Sequence, residues 1–255
     1  MEIKIPESSA EIREPYLMPT SLKKIGILSD IHFPYHNVLA LTTALEKCYT
    51  SGVDAILLNG DSMDFYLASK YEKDPRKRDF DYEFDLTRNF LDELKKNFGN
   101  IYYKVGNHEE RWMRYLQRKA PEVLGMREFE LNIILQLGEK GIHYIDKKRI
   151  IKLGGLSVFH GHEINLNLGV NPARSLFLRT QVSSLCGHLH TPSSHSEKRA
   201  DGHIVGTWST GHLGEESPDY AAFNKWQHGF AIVDLDVKEF EVSNYKIIKG
   251  KPFRT

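Results

Sequence analysis

Five short polar clusters hold most of the residues in this chain that could do chemistry. They are Asp30-Ile31-His32, Gly60-Asp61, Gly106-Asn107-His108-Glu109, His160-Gly161-His162 and Gly187-His188-Leu189-His190. Histidine is unusually frequent, with 12 in 255 residues, and half of them fall in these clusters. Carboxylate, imidazole and one amide, without thiolate, form a donor set for Mn, Fe or Zn in an open site rather than for a closed structural zinc. Asp30, His32, Asp61, Asn107, His160, His188 and His190 make seven candidate ligands, too many for one tetrahedral ion. Seven suit two divalent ions that share one carboxylate and leave positions for water and substrate. Two ions about 3.5–4 Å apart can clamp the attacking and leaving oxygens of a phosphoryl displacement. A lone Asp-x-His or Gly-Asp means little, and a single histidine is more often a core or surface residue than a ligand. Five such clusters, each closing a strand, carry far more weight.

Rigid elements must deliver these side chains. The apolar runs 25–29, 55–58 and 101–105 predict strands buried on both faces, and each ends at a cluster. Helices are predicted from about 37 to 50, with Leu39, Leu41, Ala44, Leu45 and Cys48 on one face, and from about 82 to 97. This alternation predicts a parallel α/β sheet with a site along one edge. Alternate residues of an extended strand face the same way, so Asp30 can reach one ion together with His32, and His188 with His190. Beyond about 142 the pattern changes to shorter strand-like segments at 150–153, 156–159, 182–186, 204–208, 230–235 and 240–248. Gly154-Gly155 suits a hairpin turn. One domain over 22–255 with two packed sheets is expected. Residues 1–21, polar and holding Pro6, Pro15 and Pro19, read as an extension draped on it, and Asp74 to Arg78 as an exposed loop.

Composition excludes several classes. Lys plus Arg and Asp plus Glu both number 34, so neither a basic nucleic-acid coat nor a polybasic membrane anchor is expected. Apolar residues make up 40%, too many for a disordered chain. Two cysteines cannot build a disulfide framework, which fits a reducing compartment. The first residues lack the basic start and apolar stretch of a secretory signal, and no run approaches the ~20 apolar residues that cross a bilayer. A cytoplasmic location without membrane contact is the expectation.

In this order the clusters resemble the motifs of the calcineurin-like metallophosphoesterase superfamily: D-x-H, G-D, G-N-H-[E/D], H and G-H-x-H. The resemblance covers residues 25 to about 191. The segment from Gly211-His212-Leu213-Gly214 to Trp226-Gln227-His228-Gly229-Phe230 is similar to phage-encoded members. The resemblance implies a four-layer αββα sandwich, two mixed β-sheets flanked by helices, with a dinuclear site at strand C-terminal ends. It implies phosphoester hydrolysis by a metal-activated hydroxide, with Mn favoured over Fe or Zn. Asp30, His32 and His190 would bind the first ion, Asn107, His160 and His188 the second, and Asp61 would bridge. His162 is the alternative to His160, which directly ends the strand 156–159. His108 would stabilise the transferred phosphoryl group and donate a proton to the leaving oxygen. Asp64 would orient His108, or else cap a helix. The protein phosphatases follow that aspartate with an arginine; Phe65 stands here, which counts against protein-phosphatase activity.

Further residues have two readings each. His36 and Arg174 are candidate substrate contacts, or polar residues at helix starts. Arg111, Arg114 and Arg118 share a helix face, with Lys119, Trp112 and Tyr115 nearby; this could grip a polyanion, although a solvated face over core aromatics is the default. Trp208, Tyr220 and Trp226 read as core rather than as a base-stacking surface. The leading function is a hydrolase acting on a phosphodiester or a small phosphomonoester, with nucleotides among the substrates. A DNA or RNA nuclease of the same superfamily is the alternative. A non-catalytic interaction module would predict missing ligands, and every ligand position is filled.

Overall fold

The coordinates are a computed structural model that describes residues 4–11, 13–69, 79–146, 149–164, 166, 170–215, 224–235 and 239–255. Its organising feature is the pair of faces presented by three parallel strands, β2 (Lys24–Leu28), β3 (Ala55–Asn59) and β4 (Asn100–Lys104). Leu28, Ile56, Leu58, Ile101 and Tyr103 pack towards helices. Ile25, Ile27, Ala55, Leu57 and Tyr102 pack towards a second sheet, through Leu153, Leu156, Val158 and Leu185. Both faces are dry, which is why these strands read as unbroken apolar runs.

Seven strands form the first sheet. Antiparallel β11 (Gly229–Asp234), β12 (Glu241–Ile248) and β13 (Lys251–Arg254) extend it beyond β2. Parallel β5 (His143–Ile145) closes the other side beyond β4. The second sheet runs β1 (Tyr16–Leu17), β6 (Ile151–Leu153), β7 (Leu156–Phe159), β8 (Ser184–Cys186), β10 (Ile204–Ser209) and β9 (Ser193–Lys198). Both sheets are mixed. Helices α1 (Val38–Thr50), α2 (Phe80–Asn97) and α3 (Glu109–Lys119), with the single turn α4 (Leu131–Ile134), cover the first sheet. Helix α5 (Pro172–Thr180) covers the second, with Leu176 on Phe159 and Cys186. Side-chain caps fix the starts of α1 and α2: Asn37 accepts from the Ala40 N–H at 3.0 Å and Asp79 from the Tyr82 N–H at 2.8 Å.

Part of the 1–21 segment belongs to a sheet. Tyr16 pairs in parallel with Ile151, and the Arg149 guanidinium lies 5.3 Å from the Tyr16 ring centroid. Its prolines and polar residues hide so short a strand. The polar edge strand Ser193–Lys198 was likewise absent from the apolar pattern, because it lies at the sheet margin and is largely exposed. Asp74 to Arg78 and Tyr220 fall outside the described residues. No described helix is long and apolar enough to cross a membrane.

Candidate metal centre

The clusters follow strand ends but do not lie on strands. Strands β2, β3 and β8 end at Leu28, Asn59 and Cys186, and the candidate ligands come two to four residues later. Asp30, His32, Asp61, His188 and His190 all have left-handed backbones, with φ of 58, 58, 52, 64 and 54°. The expected same-face alternation along an extended strand is therefore not how Asp30 and His32 come together, and His188 and His190 do not share one group: His190 joins Asp30 and His32, and His188 joins Asp61 and His160. The chain must turn over the sheet edge, and Asp and His are among the residues that tolerate this conformation. Each such residue costs of order 1 kcal/mol.

Neighbouring groups hold these turns. Glu109 is 1% exposed, and its carboxylate accepts the backbone N–H groups of Asp61, Ser62, Met63 and Gly106 at 2.8–3.1 Å. The Tyr103 hydroxyl adds a fifth contact at 3.1 Å. One carboxylate thus ties the Asp61 loop to the Asn107 loop. A Cβ at Gly106 would stand 2.2 Å from Asp61 Oδ1, so only glycine lets the two loops approach. Asp61 Oδ1 accepts the His108 N–H at 2.9 Å, and Asp30 Oδ2 accepts the His188 N–H at 2.8 Å.

The seven candidate ligands meet in one cluster, with Asp30, His32, Asp61, His160 and His190 buried and Asn107 and His188 half-buried. His32 Nε2 lies 3.5 Å from His190 Nε2, which is 3.3 Å from Asp30 Oδ1. His160 Nε2 lies 3.3 Å from Asp61 Oδ2 and 3.1 Å from Asn107 Oδ1. Asp30, His32 and His190 form one group with donor atoms within 4.8 Å of one another, and Asp61, His160 and His188 another. Donors about 2.1 Å from an ion stand roughly 3.0–3.4 Å apart at octahedral or tetrahedral corners. The spacings fit two small divalent cations.

Electrostatics agrees with that fit. Burial works against charge on His160, yet Asp61, Asp30 and Glu163 outweigh it and raise its pKa to about 10. Burial would likewise raise the Asp30 carboxyl, but His190 and His160 bring it down to about 2. Burial, and then the neighbouring His160, lowers His188 to about 4. Buried carboxylates that force a proton onto an imidazole attract a cation to the same place, and metal binding would release that proton.

His108 lies beside these two groups and forms a third of the same spacing with His32 and Asp64. Its Nδ1 faces the Asp64 main-chain carbonyl at 2.8 Å and the Asp64 carboxylate at 3.2 Å. The same carboxylate oxygen is 3.2 Å from His32 Nδ1, so Asp64 contacts two imidazoles. His108 Nε2 is 3.7 Å from Asp61 Oδ2 and receives Arg111 Nη2 at 2.7 Å. Asp64 does not cap a helix; the short turn after it begins at Tyr66, with the Phe65 backbone left-handed.

The remaining candidates separate. His162 Nε2 is 3.2 Å from Glu110 Oε1, while its neighbour His160 faces the ligands. His36 is half-buried, with its ring 4.6 Å from Phe33 and its Nδ1 3.3 Å from the Pro34 carbonyl. Arg174 is exposed on α5, where its backbone N–H meets the Asn171 cap. The arginine stripe divides. Arg114 pairs with Glu110, and Arg118 donates to the Ala68 carbonyl at 3.0 Å. Arg111 alone of the three touches His108. Trp226 packs its edge on His190 at 4.5 Å, and the His190 ring stacks on His212 at 4.8 Å. His212 is fully buried, and neither ring nitrogen has a hydrogen-bond partner among the described residues. Trp226 and His212 thus brace a candidate ligand. The Gly211–Gly214 and Trp226–Gly229 motifs were the only sequence signal for them.

A buried ion pair was not foreseen. Lys104 is completely buried, with Nζ 2.8 Å from Glu163 Oε1 and 2.9 Å from the Arg149 carbonyl. Glu163 also accepts the N–H groups of His160 and Gly161 at 3.1 and 2.6 Å, so the pair sets the His160 turn. Burial would raise the Glu163 carboxyl, but Lys104, His160 and His162 hold it down at about 2. Lys104→Met leaves a buried carboxylate unpaired and is expected to cost about 3–5 kcal/mol in urea unfolding near neutral pH. The folded carboxyl is depressed, so the stabilisation is present above the ordinary glutamate value and disappears as pH falls towards about 2. The gap between wild type and variant should close over that range. An equal gap at all pH values would rule out this role.

A family model described as calcineurin-like phosphoesterase matches residues 23–221, and the chain belongs to that family. Among solved structures it is similar to vacuolar protein sorting 29 from Cryptosporidium parvum, with 13% identity over 92% of this chain and 96% of that one, at a TM-score of 0.51. It is also similar to Entamoeba histolytica Vps29 complexed with zinc, with 12% identity over 90% and 96% of the two chains and a TM-score of 0.46. YfcE, a phosphoesterase from E. coli, shares 17% identity over 90% and 96%, at a TM-score of 0.45. The first of these likenesses bears on the fold alone: two mixed sheets with flanking helices. A comparison with curated proteins gives no match.

Proposed function

We propose that this chain is a dinuclear metallophosphoesterase acting on a phosphodiester or a small phosphomonoester. The observation that carries this reading is the convergence of Asp30, His32 and His190, and of Asp61, His160 and His188, at ligand-to-ligand spacing beside His108. Asn107 joins the second set through Oδ1, and Asp61, a member of that set, would be the shared carboxylate. Two divalent cations, with Mn preferred for this carboxylate and imidazole set, would supply positive charge to the phosphoryl oxygens and make bound water a nucleophile. His108 faces the same space. Its Nδ1–H donates to Asp64, which fixes the ring with Nε2 towards Asp61. When the ring takes up a second proton, on Nε2, that proton is placed to pass to a leaving oxygen.

The test is a substrate panel on the Mn-reconstituted protein: bis-p-nitrophenyl phosphate, p-nitrophenyl phosphate, cyclic nucleotides, and single- and double-stranded DNA. Hydrolysis of a small ester that requires added Mn²⁺ and stops with a chelator is expected. Cleavage of DNA with inert small esters would favour the nuclease alternative. Protein carrying two ions and cleaving nothing would refute the proposal.

A further inference from the structure

Arg111 has an unusual set of contacts. Its Nη1 donates to the Asp64 carbonyl at 2.9 Å and its Nη2 to His108 Nε2 at 2.7 Å. No ion pair joins it to a carboxylate among the described residues. Glu110 pairs with Arg114, the Asp64 carboxylate faces His32 and His108, and Glu109 is taken up by backbone N–H groups. A guanidinium can only donate, so His108 Nε2 must accept, and the imidazole carries its proton on Nδ1 towards Asp64. The nitrogen facing Asp61 is thus covered by a cation whose charge has no anionic partner among the described residues. Arg111 is also half-buried, so its charge is less screened than that of the exposed Arg114.

We infer that Arg111 binds the substrate's phosphoryl group and favours a dianionic phosphomonoester over a monoanionic diester. The inference rests on the phosphoesterase reading. An incoming phosphoryl oxygen offers Nη2 a charged acceptor in place of a neutral imidazole, while Nη1 keeps its hold on the Asp64 carbonyl. With Nη1 so held, the Nη2 and Nε edge of the planar group suits two phosphoryl oxygens at once. Its move uncovers His108 Nε2 at the moment a leaving group is present. A fixed positive charge attracts a dianion about twice as strongly as a monoanion, so the contact discriminates as well as binds.

The probe is inorganic phosphate, titrated calorimetrically into Mn-loaded wild type, Arg111→Ala and Arg111→Lys, with metal content measured alongside. Arg111→Ala should keep its metals and bind phosphate about 10–100-fold more weakly, the range for a lost charge-assisted hydrogen bond. Its kcat/KM on p-nitrophenyl phosphate should fall by a similar factor, and by less on bis-p-nitrophenyl phosphate. Arg111→Lys, which keeps the charge and loses the fork, should retain the ester preference and only part of the affinity. Unchanged phosphate affinity in Arg111→Ala, or equal losses on both esters, would overturn the inference. If loaded wild type cleaves neither ester, the phosphoesterase reading fails, while the phosphate titration still decides whether Arg111 binds the anion.

Discussion

Asp61→Asn is expected to strip both ions from the protein and lower ester hydrolysis by about 10³-fold or more, since the ions supply several kcal/mol of charge stabilisation. Asp61 is 1% exposed, and its Oδ2 faces both His160 and His108. The substitution removes charge and keeps shape. Asparagine tolerates a φ of 52°, and its Oδ1 can still accept the His108 N–H. Glu109 goes on gripping the loop through main-chain groups that the change leaves alone. A correctly folded protein with an emptied site is therefore the outcome, read by elemental analysis beside kcat. Two equivalents of Mn per chain with full turnover would show that Asp61 is not the shared ligand.

His108→Ala should do the opposite: keep both ions and lose turnover. The ring contributes no atom to the two ligand sets of the proposed site, and the backbone N–H that supports Asp61 survives in alanine. Loss of a general acid typically costs about 10²–10⁴-fold. The deficit should be full for an alkyl or ribosyl leaving group and shrink for nitrophenolate, which leaves without a proton. Asp64→Asn should behave differently from a pure orienter. The closest contact to His108 Nδ1 is the Asp64 main-chain carbonyl, which the variant retains, whereas the carboxylate also faces His32. Its turnover defect should be smaller than that of His108→Ala, and its metal affinity should fall. If His108→Ala sheds an ion, or cleaves alkyl esters at the original rate, the acid role is wrong.

Much of this was legible in the sequence, for identifiable reasons. Strands β2, β3 and β4 are buried on both faces, so composition alone marks them, and each is followed by polar residues that nothing but a site explains. The ligands could be nominated because metal chemistry restricts donor types. What holds them could not. Glu109 is visible as one letter of a motif, but its four backbone partners come from two loops that only the folded sheet brings together. Lys104 stands as an odd charge in an apolar strand until Glu163 arrives from the second sheet. The helical period of Arg111, Arg114 and Arg118 suggested a common role, yet local acids and carbonyls give each a separate one. Left-handed turns leave no periodic trace, so the expected strand-like alternation was the wrong geometry for Asp30 and His32, which the turns bring together.

Those turns also shape how such a site could be lost over evolutionary time. Asparagine and glycine are at ease where φ is near +55°, so His188 or His190 can mutate to either without disturbing the path of the chain. Asp30 and Asp61 repel one another when no cation lies between them, and an amide at either position relieves that repulsion. His190 and His160 nonetheless hold the Asp30 carboxyl down at about 2, so an amide there also gives up those attractions, and loss of the His190 ring empties its place beside His212 and Trp226. The left-handed turns thus constrain the path of the chain independently of which donors stand on it.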